Sequence, residues 1–372
     1  MTGRERLSRP ATKDFANVPP LLQGEHSRNG IGYPHLESLA GKKPDEFLRN
    51  LGYNTKIPDV SIKALHGMTL TPGIARDGVY QDNKERNRVQ LPLARLRQHV
   101  DDYNRLADDA NWNRFKSLHW NELRPELLTE GQKNAVVFVT YVEDHLPGYF
   151  SEYQSLFPIE TDSMSASLHN RELFHFTVRW GLEEDRHAQA LALYQYHAGI
   201  EPDRDRLEEK LIVENRKPFS IGFSKPPQVF TYTLLQEKAT QLYYQSLSRV
   251  VKEPVLNRLL VYLTKDESRH FGFFSEMVDS FVESYGEKAL SLIEEVALNY
   301  KMPLHNTMVD YRRKAILMAR EAPGYDRNLP QKVLMRQLKR LGDRLPDLSG
   351  AIDASVARMM DTLRITTIEG VA

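Results

Sequence analysis

The 372-residue sequence contains no cysteine. This absence excludes a disulfide framework, a thiolate nucleophile, an iron–sulfur cluster and a cysteine-ligated zinc site. Any metal ion must therefore be held by histidine, aspartate and glutamate. Any electrons that a reaction consumes must come from another protein or from a small molecule.

The sequence also lacks a net charge and a long apolar run. Its 50 basic and 50 acidic side chains cancel, which argues against a general nucleic-acid binder, because no excess of positive charge would face a phosphate backbone. No stretch approaches about 18 uninterrupted apolar residues, so we expect no membrane span. The polar N-terminal segment has no apolar signal-peptide core, and we expect a cytoplasmic protein.

The character of the sequence changes near residue 85. Residues 1–85 are rich in proline and glycine with little periodicity, which predicts an irregular N-terminal arm. Residues 86–372 carry apolar residues at helical spacing, which predicts an all-α domain. The predicted helices are 86–107, 130–157, 165–199, 202–215, 227–250, 253–283, 285–299, 304–320, 329–345 and 348–364.

Two segments of the sequence share the form acid-Glu-x-Arg-His, namely EEDRH (183–187) and DESRH (266–270). The Glu-x-x-His spacing within them puts a carboxylate and an imidazole on one face of a helix, within reach of one metal ion. A third Glu-x-x-His, formed by Glu172 and His175, lacks the longer form, and we interpret it as a surface pair. The related pair of segments predicts two halves of one metal site.

A dinuclear site would need one further carboxylate from each of two other helices. Glu143 and Glu237 are candidates, because each lies in an otherwise apolar helical stretch. The successive separations between Glu143, Glu184, Glu237 and Glu267 are 41, 53 and 30 residues, so four successive helices can each present one ligand at a common depth. The widest gap contains the irregular connection 217–230, and such a crossover is typical of ferritin-like four-helix bundles. Four glutamates and two histidines suit iron or manganese better than zinc or copper.

Four segments, in this order, resemble the soluble acyl-acyl-carrier-protein desaturases over roughly residues 110–300. The segments are EDHLPGY (143–149), WGLEEDRHAQAL (180–191), LQEKAT (235–240) and KDESRH (265–270). Asp144 stands where the family pattern has a second glutamate. The resemblance implies a ferritin-like four-helix bundle core with additional flanking helices. It also implies two iron ions per chain, with the ligands Glu143, Glu184, His187, Glu237, Glu267 and His270.

The resemblance also assigns roles within this set. Glu184 and Glu267 would bridge the two irons, while Glu143 and Glu237 would each be terminal to one iron. Thr240 would face the oxygen-binding side as a hydroxyl donor, although a buried threonine can equally bond its own helix.

Further residues would lie behind the ligands. Asp266 and Trp180 would orient the ligand imidazoles and relay electrons, with core packing as the alternative for Trp180. Trp120 corresponds loosely to a surface tryptophan at the entrance for electrons.

The resemblance implies an O2-dependent diiron desaturase that introduces a double bond into a fatty acyl chain on acyl carrier protein. A ferredoxin-type electron donor and a homodimer follow from the same resemblance. Two alternatives stay open: a diiron hydroxylase or oxidase of a carrier-bound acyl or related substrate, and a non-catalytic ferritin-like iron-binding protein. Leu191 stands where a radical-bearing ribonucleotide reductase subunit would want tyrosine, and Leu263 where an arylamine N-oxygenase carries histidine.

Acyl carrier proteins are acidic, so a basic docking face is expected despite the neutral total charge. The segments 311–320 and 332–344 concentrate basic side chains. Solvated faces of amphipathic helices would give the same pattern, and the docking surface therefore stays open at this point.

Overall fold

The computed structural model describes residues 89–161 and 163–365, and within them every long regular element is an α-helix. The helices are α1 (Leu93–Asp109), α2 (Glu130–Glu143), α3 (Leu146–Leu156), α4 (Met164–His197), α5 (Arg204–Asn215), α6 (Pro226–Ser248), α7 (Pro254–Tyr285), α8 (Glu287–Asn299), α9 (Tyr311–Arg320), α10 (Leu329–Arg344) and α11 (Pro346–Thr362). The all-α prediction is confirmed. The predicted arm and its boundary at residue 85 lie outside the described residues.

Helices α2, α4, α6 and α7 form the four-helix core, as predicted for a ferritin-like bundle. The most extensive pairing joins α6 to α7, and α4 packs against both α2 and α7. The flanking helices cover this core: α1 lies against α4 and α7, α8 and α10 pack against α6, and α9 lies against α2. Among the described helices, none is long and apolar enough to cross a membrane.

The buried side chains of the core form two apolar clusters, one toward each end of the bundle. One includes Trp180 of α4 and Phe274 of α7, and the other includes Leu191 of α4 and Leu263 of α7. The acid-Glu-x-Arg-His segments lie between these positions on both helices. The bundle therefore carries a polar layer between two apolar layers, which shield it from water.

The predicted helix 130–157 is wrong as a single element, because the structure divides it into α2 and α3. Asp144 and His145 separate the two helices, immediately after Glu143. Pro147 explains the break: it has no N–H to donate, and its ring would collide with the carbonyl of Glu143 four residues earlier. The division leaves Glu143 at the very end of a helix.

Two predicted helix starts are also wrong. The helix predicted over 304–320 begins at Tyr311, because Leu304 and Asp310 both adopt left-handed backbone conformations, with φ of 60° and 57°. The helix predicted from residue 86 begins at Leu93, directly after Pro92. The remaining predicted helices agree with the observed bounds to within two residues.

Candidate metal centre

The structure brings all six predicted metal ligands together in the polar layer of the bundle. They form two groups whose candidate ligand atoms, one per residue, all lie within 4.8 Å of one another. The first group is Glu143, Glu184, His187 and Glu267, and the second is Glu184, Glu237, Glu267 and His270. Glu184 and Glu267 belong to both groups, so these two carboxylates stand where they could bridge two ions.

Four different helices contribute these side chains. Glu143 ends α2 and Glu237 lies within α6, whereas α4 and α7 each supply a glutamate and, three residues later, a histidine. The histidines present Nδ1 to the cluster. His187 Nδ1 lies 3.6 Å from Glu267 Oε1, and His270 Nδ1 lies 2.9 Å from Glu184 Oε1.

Unsatisfied polar atoms show that this donor set fits a metal. Among the described residues, four buried atoms of the cluster have no hydrogen-bond partner: Glu184 Oε1, His187 Nδ1, Glu237 Oε1 and Glu267 Oε2. Each such atom costs about 1–3 kcal/mol. Coordination to metal ions would satisfy all four, and a carboxylate-rich set with imidazole suits iron or manganese.

The far side of each imidazole contacts a carboxylate from the other helix. His187 Nε2 of α4 lies 3.0 Å from Asp266 Oδ2 of α7, and His270 Nε2 of α7 lies 2.9 Å from Glu183 Oε2 of α4. The acid that opens each acid-Glu-x-Arg-His segment therefore bonds the histidine of the other segment. Such contacts fix the orientation of a ligand imidazole and its tautomer.

The arginine of each segment likewise bonds the first acid of the other segment. Arg186 donates to Asp266 Oδ2 at 2.9 Å, and Arg269 donates to Glu183 Oε2 and to Asp266 Oδ1, both at 2.8 Å. Burial alone would raise the pKa of Glu183, but the hydrogen bond and charge of His270, with Arg269, lower it to about 2. Burial would also raise the pKa of Asp266, but the hydrogen bond and charge of His187 outweigh it and lower that pKa, so both carboxylates behind the imidazoles favour the ionised form.

The pKa values of three candidate ligand carboxylates are shifted in different directions. Burial, together with the charge of Glu184, raises the pKa of Glu143 to about 7. Burial and the charges of Glu237 and Glu184 raise the pKa of Glu267 well above its usual range. For Glu184, the close imidazoles of His187 and His270 outweigh burial and lower the pKa. Burial therefore disfavours the ionised forms of Glu143 and Glu267, and bound metal ions would supply the positive charge that offsets it.

Two aromatic residues that the sequence did not single out extend this network. Trp112 Nε1 donates to Asp266 Oδ2 at 2.7 Å, and the Tyr103 hydroxyl donates to Glu183 Oε2 at 2.9 Å. The Trp112 ring is stacked on Tyr262 at 5.1 Å, and the Arg186 guanidinium lies 4.8 Å from its centre. Each carboxylate behind a histidine therefore accepts a bond from an aromatic side chain of another element.

The other predicted tryptophans lie elsewhere. The Trp180 indole N–H has no hydrogen-bond partner among the described residues, and its ring packs against Tyr153 at 5.2 Å and Phe274 at 6.2 Å. Glu183, rather than Trp180, contacts His270. Trp120 donates to the carbonyl oxygen of Arg114. Of the three tryptophans in the chain, Trp112 is the one hydrogen-bonded to the network.

Neither Thr240 nor the third Glu-x-x-His pair belongs to the two groups of candidate ligands. The half-buried Thr240 hydroxyl donates to the carbonyl oxygen of Gln236 at 3.0 Å, one turn from Glu237 along α6. Glu172 faces Arg97 at 3.3 Å, and His175 is exposed on the surface of α4.

Comparisons with known proteins point to one family. Residues 101–325 match the sequence model described as fatty acid desaturase. The putative acyl-[acyl-carrier-protein] desaturase DesA1 of Mycobacterium tuberculosis is 24% identical over 59% of this chain and 63% of its own length. The chloroplastic stearoyl-[acyl-carrier-protein] 9-desaturase 6 of Arabidopsis thaliana is 28% identical over 50% of this chain and 48% of its own length.

The chain thus matches less than two thirds of the length of either relative. A solved structure of the putative acyl-ACP desaturase DesA2 from Mycobacterium tuberculosis H37Rv is 16% identical in sequence. It has a TM-score of 0.47 and covers 72% of this chain and 98% of its own.

Proposed function

The chain belongs to the fatty acid desaturase family, and on that basis we propose that it is an O2-dependent diiron desaturase acting on a fatty acyl chain carried by acyl carrier protein. One observation carries the proposal: two overlapping groups of buried ligands share Glu184 and Glu267. A site for one ion would not need this sharing, and a surface cluster would not be buried between two apolar layers.

The six clustered residues would hold two iron ions, with Glu184 and Glu267 bridging. Bound there, iron would supply the reduction of O2 to an oxidant that removes hydrogen from a methylene group. The protein orients the imidazoles through Asp266 and Glu183 and excludes water with the apolar layers on both sides. Thr240, one turn from Glu237, is proposed as a hydroxyl donor on the oxygen-binding side.

Reduction of the centre would require an external donor of the ferredoxin type. Trp112, Asp266 and His187 form a continuous hydrogen-bonded connection from outside the bundle to the candidate ligands. We propose this connection as the route for electrons. Trp112 replaces Trp120 and Trp180 in that role, because neither of those side chains bonds Asp266.

An anaerobically reduced, ferredoxin-coupled assay with acyl carrier proteins of varied chain length tests this function. After O2 is admitted, products are analysed for both alkene and alcohol. Alkene supports the desaturase, whereas alcohol alone favours the diiron hydroxylase. If neither product forms while about two irons are bound per chain, the substrate assignment fails and an iron-binding role gains support.

Helix α9 is the better of the two basic segments for docking the acidic carrier. It lies across α2, where the ring centres of Tyr311 and Phe138 are 5.6 Å apart. The Tyr243 hydroxyl of α6 donates to the Met318 carbonyl oxygen of α9 at 3.2 Å. It therefore covers the helices that carry Glu143 and Glu237. In α10, by contrast, two of the basic side chains are engaged in ion pairs, which join Lys332 to Asp326 and Arg344 to Asp279.

Reversing the charge of α9 should weaken the use of the carrier-bound substrate. The triple variant Arg312→Glu, Arg313→Glu, Lys314→Glu is expected to raise KM for the acyl carrier about tenfold or more at low salt, because it would repel an acidic partner. Steady-state kinetics measures the effect. The matched control reverses the exposed Lys339 and Arg340 of α10. An unchanged KM in the α9 variant would rule out this docking site.

The outer face of α4 is proposed as the contact of a homodimer. Val178, Leu182 and Tyr196 are 47%, 55% and 40% exposed, and the 18 residues from Val178 to Tyr196 are about five helical turns, so these side chains share one face. Exposed apolar side chains that share a helix face are of the kind that an association surface buries. Leu182→Glu is expected to convert the dimer to a monomer in sedimentation velocity. Ile212→Glu, at an apolar position of similar exposure on α5, should leave the dimer intact.

A further inference from the structure

The two outer carboxylates of the candidate centre have different surroundings. Glu143 Oε1 accepts a hydrogen bond from the phenol of Tyr244, which leaves Oε2 to face His187 Nδ1 at 3.7 Å. Glu237 Oε2 lies 3.2 Å from His270 Nδ1, while Glu237 Oε1 has no hydrogen-bond partner among the described residues. Glu143 therefore accepts from a side chain that is not a candidate ligand, whereas the hydrogen-bond partner of Glu237 is His270, itself a candidate ligand.

The Tyr244 contact is firmly held by the fold. Tyr244 lies two turns after Glu237 on α6, and its side chain is fully buried in the apolar cluster around Leu191 and Leu263. A buried phenol needs a hydrogen-bond partner, and Glu143 is the acceptor that the structure provides. Breaking this bond would leave the hydroxyl without its partner in an apolar setting, which costs about 1–3 kcal/mol.

An oxygen that accepts a phenol O–H is a poorer metal donor, because the same lone-pair density is already shared with a proton. Glu143 thus offers one free oxygen to the ion beside His187, whereas Glu237 offers two to the ion beside His270. The surroundings behind the two histidines are otherwise similar, since each histidine contacts one carboxylate that accepts bonds from an aromatic side chain and from arginine, and Arg269 bonds both of these carboxylates.

We propose that the candidate centre has two inequivalent metal positions, and that Tyr244 makes the position at Glu143 and His187 the weaker and more open one. The inference rests on the proposed function only in requiring that the six residues bind a metal pair. Its chemical consequence is that an added small ligand should bind to the metal ion beside His187 before it binds to the ion beside His270. Tyr244 acts as a positioning residue in this scheme.

Anaerobic titration of the metal-free 372-residue chain with Co2+, followed by calorimetry and visible absorption, tests the proposal. The wild-type chain should bind Co2+ in two resolved steps. In Tyr244→Phe, both oxygens of Glu143 become available, and the weaker step should tighten about tenfold or more, since a hydrogen bond to a charged group is worth about 1.5–3 kcal/mol. The absorption of that step should shift toward higher coordination.

Tyr243→Phe is the matched control. Tyr243 is the neighbouring buried tyrosine, and its hydroxyl donates to Met318 rather than to a candidate ligand, so both steps should stay as in wild type. If Tyr244 merely kept Glu143 in place, Tyr244→Phe would weaken binding, as loss of outer contacts usually does. A weakened or unchanged second step therefore overturns the proposal.

Two further measurements keep the test decisive if Tyr244→Phe does not fold. Glu143→Gln should remove the weaker step and Glu237→Gln the tighter one, and the reverse assignment overturns the proposal. Binding of two ions in one unresolved step by the wild-type chain overturns the inequivalence alone. Absence of Co2+ binding in the wild-type chain overturns the metal centre itself, and with it the proposed function.

Discussion

Replacing Glu184 with alanine is expected to abolish retention of both iron ions, because Glu184 belongs to both groups of candidate ligands. Each ion would lose one donor, and the two positions would lose half of the bridge between them. Iron content after anaerobic reconstitution and gel filtration should fall from about two per chain to a trace. Desaturation in the ferredoxin-coupled assay should be lost with it.

Substitutions other than at Glu184 and Glu267 distinguish loss of a shared metal ligand from general loss of the fold. Glu143→Ala removes a member of one group only, so one iron position should survive. Glu172→Ala changes the first residue of the surface Glu-x-x-His pair on the same helix, and it should leave the iron content unchanged. Retention of two irons by Glu184→Ala, in a chain with a wild-type circular dichroism spectrum, would refute the proposed ligand set.

The sequence predicted the helices and the two Glu-x-x-His pairs that meet in the polar layer, because both depend on spacing within single helices. Glu184 and His187, three residues apart, must share one face of α4 whatever packs against it. The same holds for Glu267 and His270 on α7. Local chemistry also explains the errors in helix bounds, since Pro147 ends α2, and its effect on the carbonyl of Glu143 was already readable from the sequence.

The contacts behind the ligands could not be predicted in this way. Tyr244 donates a hydrogen bond to Glu143, 101 residues away in sequence, and Trp112 donates one to Asp266, 154 residues away. Helical periodicity indicates which face of a helix is buried, but it does not indicate which side chain of another helix will lie opposite. Glu183 did carry a signal, because it opens the same repeated segment as Asp266. The crossed contacts to the opposite histidines became evident only when α4 and α7 were placed side by side.

Asp266→Ala is expected to lower the free energy of unfolding strongly. Asp266 accepts hydrogen bonds from Trp112, Arg186 and Arg269, and it also contacts His187. Alanine would leave the largely buried Arg186 guanidinium without its carboxylate partner. Removing one member of a buried ion pair costs about 3–5 kcal/mol. Urea unfolding of the metal-free chain should show a loss of this size in the free energy of unfolding.

Asp279→Ala is the matched control, since Asp279 also lies on α7 and also accepts a bond from an arginine. Its partner Arg344 is 58% exposed, so solvent screens that pair. The buried Gln337 amide also donates to Asp279, but it keeps the Ser275 carbonyl oxygen as an acceptor, so Asp279→Ala should cost only about 1 kcal/mol. A loss for Asp266→Ala no larger than that for Asp279→Ala would contradict the central role of Asp266.

A second substitution at Arg186 distinguishes loss of a charge partner from loss of packing. If the cost of Asp266→Ala arises from an unpaired buried guanidinium, then Arg186→Met in the same chain should restore part of the lost stability, because the uncompensated charge is removed. Arg269 needs no such rescue, since it keeps Glu183 as a partner. Restoration by Arg186→Met but not by Arg269→Met would therefore identify the Arg186–Asp266 pair as the contact that holds α4 against α7 behind His187.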